Sequence, residues 1–396
     1  MEPTKRPLWH SKNMAHSDTL FLAADPGAGN LKIFSQHCPP VMIRSLVKFG
    51  TEKDFMADYE SVAPDVLHYV AGSNAELAGR LWIAGDSVID RKLRPDTPYE
   101  ESNLKTTNAL PLLLAALIRE AQIPAGETNV VMICSSHNPK ALGAKLVAQF
   151  TGWHQVVCNG KTYKIQIKMP VSGVISEGSA IAQGTEFCTL DIGYLTCLLT
   201  PRSRDGIPLN DQTHRSGYGV GNLIDRITNH SELQAMLGGM SGNPIYVGNG
   251  LVEATEGGME KVFYRGDGKC LNITSVYTAC LKEWIVDAVG PALKALAERN
   301  GSDYRVIAIG GGVKLPKIEG FLRKRGIKLY EGDPLLANAE SMYTHKLLPL
   351  LSGELNESLG NFDFDPFDTV AKRSATSKKP KAKAPTKTES KEPAVA

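Results

Sequence analysis

No Cys-x-x-Cys pair occurs in this chain of 396 residues, although it holds seven cysteines. Cys38, Cys134, Cys158, Cys188, Cys197, Cys270 and Cys280 are scattered, mostly within apolar runs. That is the pattern of buried reduced thiols, not of a disulfide framework or a thiolate metal site. The nine histidines include no His-x-x-x-His pair, the spacing that sets two ligands on one helix face. No apolar run reaches the roughly 20 residues that a membrane span requires. Residues 1–18 are polar and lack the apolar segment of a signal peptide. An excess of one charge is missing too: 44 Lys/Arg stand against 42 Asp/Glu, a net +2. Bulk composition therefore does not announce nucleic acid. The expectation is a cytoplasmic protein of two or three domains, or one two-lobed body.

What charge there is lies unevenly. Residues 371–396 carry eight Lys/Arg and two Asp/Glu, a local +6, which leaves about −4 on the rest. This Lys/Pro/Ala/Ser/Thr segment cannot bury enough apolar surface to offset its chain entropy, so residues 361–396 are expected to form a disordered basic tail. Residues 1–17 are expected to be a disordered arm. A basic tail either stays solvated or makes salt-sensitive contacts with DNA, a membrane surface or an acidic partner.

One stretch organises the remainder: Asp25-Pro26-Gly27-Ala28-Gly29-Asn30-Leu31-Lys32. Residues 19–24 before it, apolar after Thr19, read as a buried strand, and Lys32-Ile33-Phe34 begins the returning one. The turn between them has two glycines, an Asp at its mouth and a Lys beyond. Glycine lets backbone N–H groups approach a phosphate closely. An Asp beside a phosphate makes sense only with a bridging Mg²⁺ and its waters. The bland alternative is an ordinary hairpin turn, since Asp and Gly are common there.

Further along, Leu110, Leu113, Leu114, Leu117 and Ile118 recur at helical spacing and predict a buried helix over 107–122. A β-branched strand over 129–134, a helix over 139–150 and a hairpin turning at Asn159-Gly160 follow. Ser176-Glu177-Gly178-Ser179-Ala180-Ile181-Ala182 is expected to open a small-residue helix with an acidic first turn. Then the pattern repeats. Residues 187–190 form a strand leading to Asp191-Ile192-Gly193-Tyr194-Leu195-Thr196, with a second strand over 197–200. Residues 222–227 read as a helix behind Gly217-Tyr218-Gly219-Val220-Gly221. A long helix over 275–299 should kink at Gly290-Pro291. A strand over 304–309 runs into Gly310-Gly311-Gly312, and residues 338–351 read as a closing helix. Two Asp-x-Gly hairpins can clamp a polyphosphate from both sides, and a triple glycine lets a base or ribose lie against backbone.

This order of motifs resembles the actin, sugar kinase and heat-shock chaperone ATPase superfamily, and within it the bacterial actin-like proteins of the plasmid-segregating ParM/StbA type. The resemblance covers about residues 20–351. Asp25, Gly27 and Lys32 match the first phosphate loop, and Asn30 in Gly-Asn-x-Lys matches the branch. Asp191, Gly193 and Thr196 match the second loop; Gly310, Gly311 and Gly312 match the nucleoside motif. Gly85-Asp86, Glu177-Gly178-x-Ala180 and Ala337-Asn338-x-x-x-Met342-Tyr343 resemble further motifs of the branch. Tyr194 and Leu195 depart from it where a second glycine is usual, as do Ser176 for Pro and Ser341 for Gly.

The resemblance implies an α/β fold of two RNase-H-like, actin-like ATPase lobes with a nucleotide cleft between them. Lobe I would be residues 18–185, completed by a helix over 338–352, and lobe II residues 186–337. ATP, or GTP, would bind with Mg. Gly27, Ala28, Gly29, Asn30, Gly193, Tyr194, Leu195 and Thr196 would offer backbone to the phosphates. Lys32 would neutralise them, and Asp25 and Asp191 would hold Mg through water. Glu177 would position the attacking water, with Asp191 as the second catalytic residue. An acidic first-turn residue favoured by the helix dipole is the bland alternative for Glu177. The protein itself would be the main partner, in cytoplasmic filaments, joined by an adaptor protein to DNA or other cargo. Plasmid segregation and cell shape or positioning are equally compatible. Two other readings stay open: a nucleotide-gated adaptor that does not hydrolyse, favoured by Tyr194-Leu195, and a small-molecule kinase of the same fold.

Overall fold

The structure is a computed structural model that describes residues 19–36, 38–56, 63–96, 104–170, 172–181, 184–209, 214–266, 268–298 and 305–351. The expected arm over 1–17 and tail over 361–396 lie outside the described residues.

Two sheets carry the fold. The first has ten strands: β1 (Leu20–Pro26), β2 (Asn30–Phe34), β3 (Val41–Arg44), β4 (Val47–Gly50), β5 (Leu67–Gly72), β6 (Leu81–Ala84), β7 (Gly126–Ser136), β8 (Gly152–Cys158), β9 (Lys161–Lys168) and β10 (Val174–Ser176). Their order is β3-β2-β1-β7-β9-β8-β5-β6-β4, with β10 also on β7. β3 and β4 end this order on opposite sides, yet only Ser45 and Leu46 separate them in sequence. Three steps of chain span at most about 10 Å, so the sheet must curl until its edges meet.

The second sheet, ordered β13-β12-β11-β16-β17, has five strands: β11 (Phe187–Ile192), β12 (Cys197–Arg202), β13 (His214–Ser216), β16 (Arg305–Ile309) and β17 (Lys328–Leu329). A separate ribbon, β14 (Phe263–Gly266) and β15 (Lys269–Asn272), lies between β13 and β16 in sequence.

The two sheets share one local plan. In the first, β1 pairs antiparallel with β2 and parallel with β7, and β2 pairs antiparallel with β3. In the second, β11 pairs antiparallel with β12 and parallel with β16, and β12 pairs antiparallel with β13. Each Asp-x-Gly hairpin thus opens beside the end of a parallel neighbour. Each sheet also has its own core. Leu20, Leu22, Leu31, Leu113, Met132 and Ile165 belong to one cluster. Leu190, Ile192, Leu223, Tyr277, Trp284 and Ala308 belong to the other. The strands buried on both faces read as continuous apolar runs, as expected where helices cover a parallel sheet.

The helix expected over 107–122 appears as Ala109–Ala115, wholly buried, continuing through a wide turn at Ala116–Glu120. Asn138 caps Pro139–Phe150 by accepting from the Ala141 amide at 3.2 Å. The long helix runs Thr274–Trp284 and resumes at Gly290–Glu298, with a wide turn at Ile285–Val289 just before Pro291. Pro291 lacks the N–H and crowds the carbonyl four residues back, which opens the turn ahead of it.

One expectation fails: residues 176–181 do not open a helix. β10 ends at Ser176, and Glu177–Ala180 form a turn with Gly178 at φ +75. No helix dipole acts on Glu177 there. The helices Ser231–Met236 and Pro244–Glu256 and the β14–β15 ribbon were not anticipated either. Asn243 capping a Pro at the first helical position was the signal available for the second of them.

Candidate functional site

The first hairpin turn is closed from inside and braced from outside. The Gly27 amide donates to the Asp25 and Asn30 carbonyls at 2.9 and 3.0 Å. That amide is therefore consumed by the turn. Ser45, in the short link between β3 and β4, braces both glycines. Its hydroxyl donates to the Gly27 carbonyl at 2.6 Å, and its amide to the Gly29 carbonyl at 3.0 Å. A trans peptide points its N–H opposite to its C=O. Tying back the Gly27 carbonyl turns the Ala28 N–H away from Ser45.

The second turn obeys the same rule by a different device. The Gly193 amide closes it by donating to the Thr196 carbonyl at 2.9 Å. The carbonyls of Gly193, Tyr194 and Leu195 accept from the amides of Val220, Gly221 and Gly219 at 3.0, 2.8 and 3.1 Å. These donors belong to the start of the helix Val220–Thr228, whose first amides lack intrahelical partners. With three successive carbonyls drawn back, the N–H groups of Tyr194, Leu195 and Thr196 point away from the helix. The fully buried Trp284 fixes that helix start, its indole donating to the Gly219 carbonyl at 3.0 Å.

The charged groups converge between the turns. Asp25 is 2 % exposed. One carboxylate oxygen accepts from Lys32 Nζ at 2.9 Å, and the other accepts from the Ser135 hydroxyl at the end of β7. Burial works against the charge on Lys32. Asp25, aided by Asp191 and Glu177, outweighs it and holds the lysine above its ordinary pKa. In the second sheet Asp191 is paired with Ile309 of β16, and Gly310, one residue on, lies against its carboxylate. A Cβ there would lie 2.5 Å from Asp191 Oδ1, and Gly310 has φ +90. A Cβ on Gly312 would lie 2.3 Å from Ile192. Packing against the end of β11 thus already requires two of the three glycines.

Tyr194 is where the two turns touch. A Cβ on Gly29 would come within 3.0 Å of Tyr194 Cβ, and one on Gly221 within 2.9 Å of its ring. The ring sits between these glycines, and burial, then Asp225, pushes its hydroxyl up to about 12. A second link joins the sheets at Arg44, which pairs with Asp86 at 2.8 Å and donates to Asn249 on the helix Pro244–Glu256 at 2.6 Å.

Residues 23–178 match the family model described as the actin like proteins N terminal domain. The chain carries an actin-like fold. Among solved structures it is similar to the ParM of Bacillus thuringiensis with ATP: 17% identity, TM-score 0.63, 85% of this chain and 100% of that one covered. It is also similar to the actin-like protein Alp7A (12%, TM-score 0.60, 86% and 99% covered). A third is an archaeal actin homologue, Ta0583 (16%, TM-score 0.59, 82% and 97% covered). No curated protein sequence matches the chain.

Every candidate site residue named from the sequence is described, and most lie together. Asp25, Gly27, Ala28, Gly29, Asn30 and Lys32 form the β1–β2 hairpin; Asp191, Gly193, Tyr194, Leu195 and Thr196 form the β11–β12 hairpin; Gly310–Gly312 follow β16. Glu177 stands on the passage between the sheets. Sequence reasoning missed Ser45, Ser135 and Arg202. Ser45 and Ser135 lie 18 and 110 residues from the atoms they hold, with no local signal. Arg202, a charge ending an apolar strand, was the one detectable oddity. Five of the seven thiols are buried as expected, while Cys38 is partly so and Cys270 is exposed.

Proposed function

We propose that this protein is an actin-like nucleoside triphosphatase that binds nucleotide between the β1–β2 and β11–β12 turns and assembles into filaments. The observation that carries the reading is the paired bracing: Ser45 and the helix Val220–Thr228 tie the turn carbonyls back. The amides of Ala28, Tyr194, Leu195 and Thr196 are then the donors offered to an anion, with Lys32 as the cation beside them. Phosphoryl transfer needs mainly such positioning and charge, since little covalent chemistry falls to the protein.

The residues also fit a magnesium ion held indirectly. Both Asp25 oxygens are engaged by Lys32 and Ser135. Among the described residues, no group of three or more His, Cys, Asp or Glu could hold a metal directly. Asp25 and Asp191 would therefore reach the ion through its waters, the usual habit of Mg²⁺ beside phosphate. When bound, the ion would offset phosphate charge. Glu177 would orient water, and Lys32 would hold phosphate oxygens.

Lobe I would comprise residues 18–185 with the helix over 338–352, and lobe II residues 186–337. A ligand touching both turns favours the posture in which they lie close, which is how bound nucleotide would control subunit contacts. Solved ParM with ATP, AMPPNP and ADP supports a nucleotide site in this fold. An adaptor, DNA or other cargo, and a cytoplasmic filament, belong to the same reading. Among the described residues no helix is long and apolar enough to cross a membrane.

Tyr194 favours a second reading. Its ring lies against Gly29, in the gap between the turns, and suits an adaptor that binds nucleotide without brisk hydrolysis. High-speed pelleting with Mg-ATP, Mg-ADP, a non-hydrolysable analogue and no nucleotide, with phosphate release measured alongside, separates the two. Pelleting with ATP or the analogue supports the filament. Tight binding without pelleting at any concentration moves the reading to the adaptor. Asp191→Ala is expected to slow phosphate release while leaving binding in place.

A further inference from the structure

The chain passes from the first sheet to the second through residues 177–186, between β10 and β11, and returns after β17 into the helix Ala337–Met342. The two crossings meet at one peptide unit, Glu177–Gly178. Its carbonyl accepts from Arg202 Nη2 at 2.5 Å, and its N–H donates to Asn338 Oδ1 at 2.7 Å. Arg202 ends β12 in the second sheet; Asn338 lies in the first turn of the helix Ala337–Met342 that follows the return crossing. The preceding N–H, that of Glu177, donates to the Ser136 carbonyl of β7 at 3.1 Å. Three elements thus fix the backbone of one glutamate.

Arg202 is an expensive way to hold a carbonyl. It is 3 % exposed, and all three of its donor nitrogens go to neutral acceptors. Nε donates to Thr189 Oγ1 at 2.8 Å, Nη1 to the Gly206 carbonyl at 3.2 Å and Nη2 to Glu177. Among the described residues no carboxylate touches it. A buried cation without a contacting counter-ion costs stability, and an apolar side chain of similar volume would pack there more cheaply. Asp191 and Glu177 are the nearby acids that offset its charge. Gly178 completes the arrangement: at φ +75, a Cβ on it would lie 2.6 Å from Arg202 Nη2.

We propose that Arg202 and Asn338 are positioning residues that clamp the Glu177–Gly178 peptide, and so aim the Glu177 carboxylate, for the nucleotide hydrolysis inferred above. The inference rests on that functional reading. It predicts a loss of turnover without a loss of nucleotide affinity, because neither residue lies on the two turns that offer donors to phosphate.

Asn338→Ala removes the acceptor of the Gly178 N–H, whereas Asn338→Asp keeps an oxygen there; Arg202→Lys keeps charge but not the three-way fork. Three quantities decide the matter: amide exchange of the segment over residues 172–181 without ligand, affinity for a fluorescent ATP analogue, and single-turnover phosphate release. Asn338→Ala is expected to speed exchange at Gly178 by about tenfold, the size of one lost hydrogen bond. It should slow phosphate release by about tenfold or more and leave affinity within about threefold, as a loss confined to the transition state requires. Asn338→Asp should retain exchange protection and recover most of the turnover, and Arg202→Lys should behave like Asn338→Ala. Faster exchange with normal phosphate release overturns the positioning role, as does a parallel fall in affinity and turnover. A wild-type protein that binds no nucleotide overturns the functional reading and this role together. Wild-type turnover unaffected in Asn338→Ala overturns the role alone.

Discussion

Lys32→Met removes one partner of the pair that closes the first turn. Lys32 Nζ lies 2.9 Å from Asp25 Oδ2, with the two side chains 13% and 3% exposed. Breaking a buried pair from one side costs about 3–5 kcal/mol, because the other charge stays behind uncompensated. Asp25 keeps its bond from Ser135, so the lower end, about 3 kcal/mol, is expected. A domain with a total stability of about 5–15 kcal/mol survives that loss. Asp25→Asn removes the stranded charge. The double variant should therefore recover about 2 kcal/mol relative to the sum of the single changes, the size usual for contacting pairs. Urea unfolding of the four proteins without nucleotide measures this cycle.

The same substitution should weaken binding of a fluorescent ATP analogue by about 10- to 100-fold, the equivalent of a charge-assisted hydrogen bond of about 1.5–3 kcal/mol. pH gives an independent check. A lysine whose folded pKa lies above its ordinary 10.5 contributes fully at neutral pH and loses that contribution only as pH rises through the raised value. A coupling below about 0.5 kcal/mol together with unchanged nucleotide affinity would refute both the pair and the cleft.

Three further outcomes follow from other contacts. Ser45→Ala deletes the brace on the Gly27 carbonyl and should cost about 1 kcal/mol of stability by urea unfolding, with nucleotide affinity lowered about fivefold; unchanged affinity would mean the brace does not orient the turn. Tyr194→Gly empties the space between Gly29 and Gly221 and should raise single-turnover phosphate release, whereas slower release would show that the ring does not crowd the site. His154 is wholly buried, its Nδ1 accepting from the Tyr69 hydroxyl at 2.8 Å and its Nε2–H donating to the Phe150 carbonyl at 3.0 Å. Burial pushes its pKa down to about 4, so the unfolded chain takes up the proton first and stability falls as pH drops from about 6.5 to about 4, by about 3 kcal/mol in all. His154→Leu should flatten that slope in urea midpoints taken at pH 7 and pH 5.

The β1–β2 and β11–β12 hairpins were legible because their signals are local. An apolar strand, a Gly-rich turn and a returning strand occupy about a dozen consecutive residues each, and period and turn chemistry report on such stretches directly. Repetition of Asp-x-Gly before β12 likewise foretold the shared plan of the two sheets. The helix expected at Ser176 failed for the opposite reason. Small residues and an acidic first turn are weak preferences, and Arg202, 25 residues on, draws the Glu177 carbonyl out of any helical ladder. Long-range contacts override propensity when the local signal is slight.

By itself, then, the amino-acid sequence determined the strands that flank the two Asp-x-Gly turns, where those two hairpins turn and which acidic and basic residues stand there. All of this follows from interactions between residues close in the chain. Tertiary structure alone decided what the turns can do. Which carbonyls are drawn back, and so which amides are left to donate, depends on Ser45 and on the helix Val220–Thr228. Whether Asp25 is free to ligate depends on Ser135, and the backbone of Glu177 depends on Arg202 and Asn338. A hydrogen bond needs a donor within about 3 Å of its acceptor, and a sequence does not state which distant residues folding will bring that close.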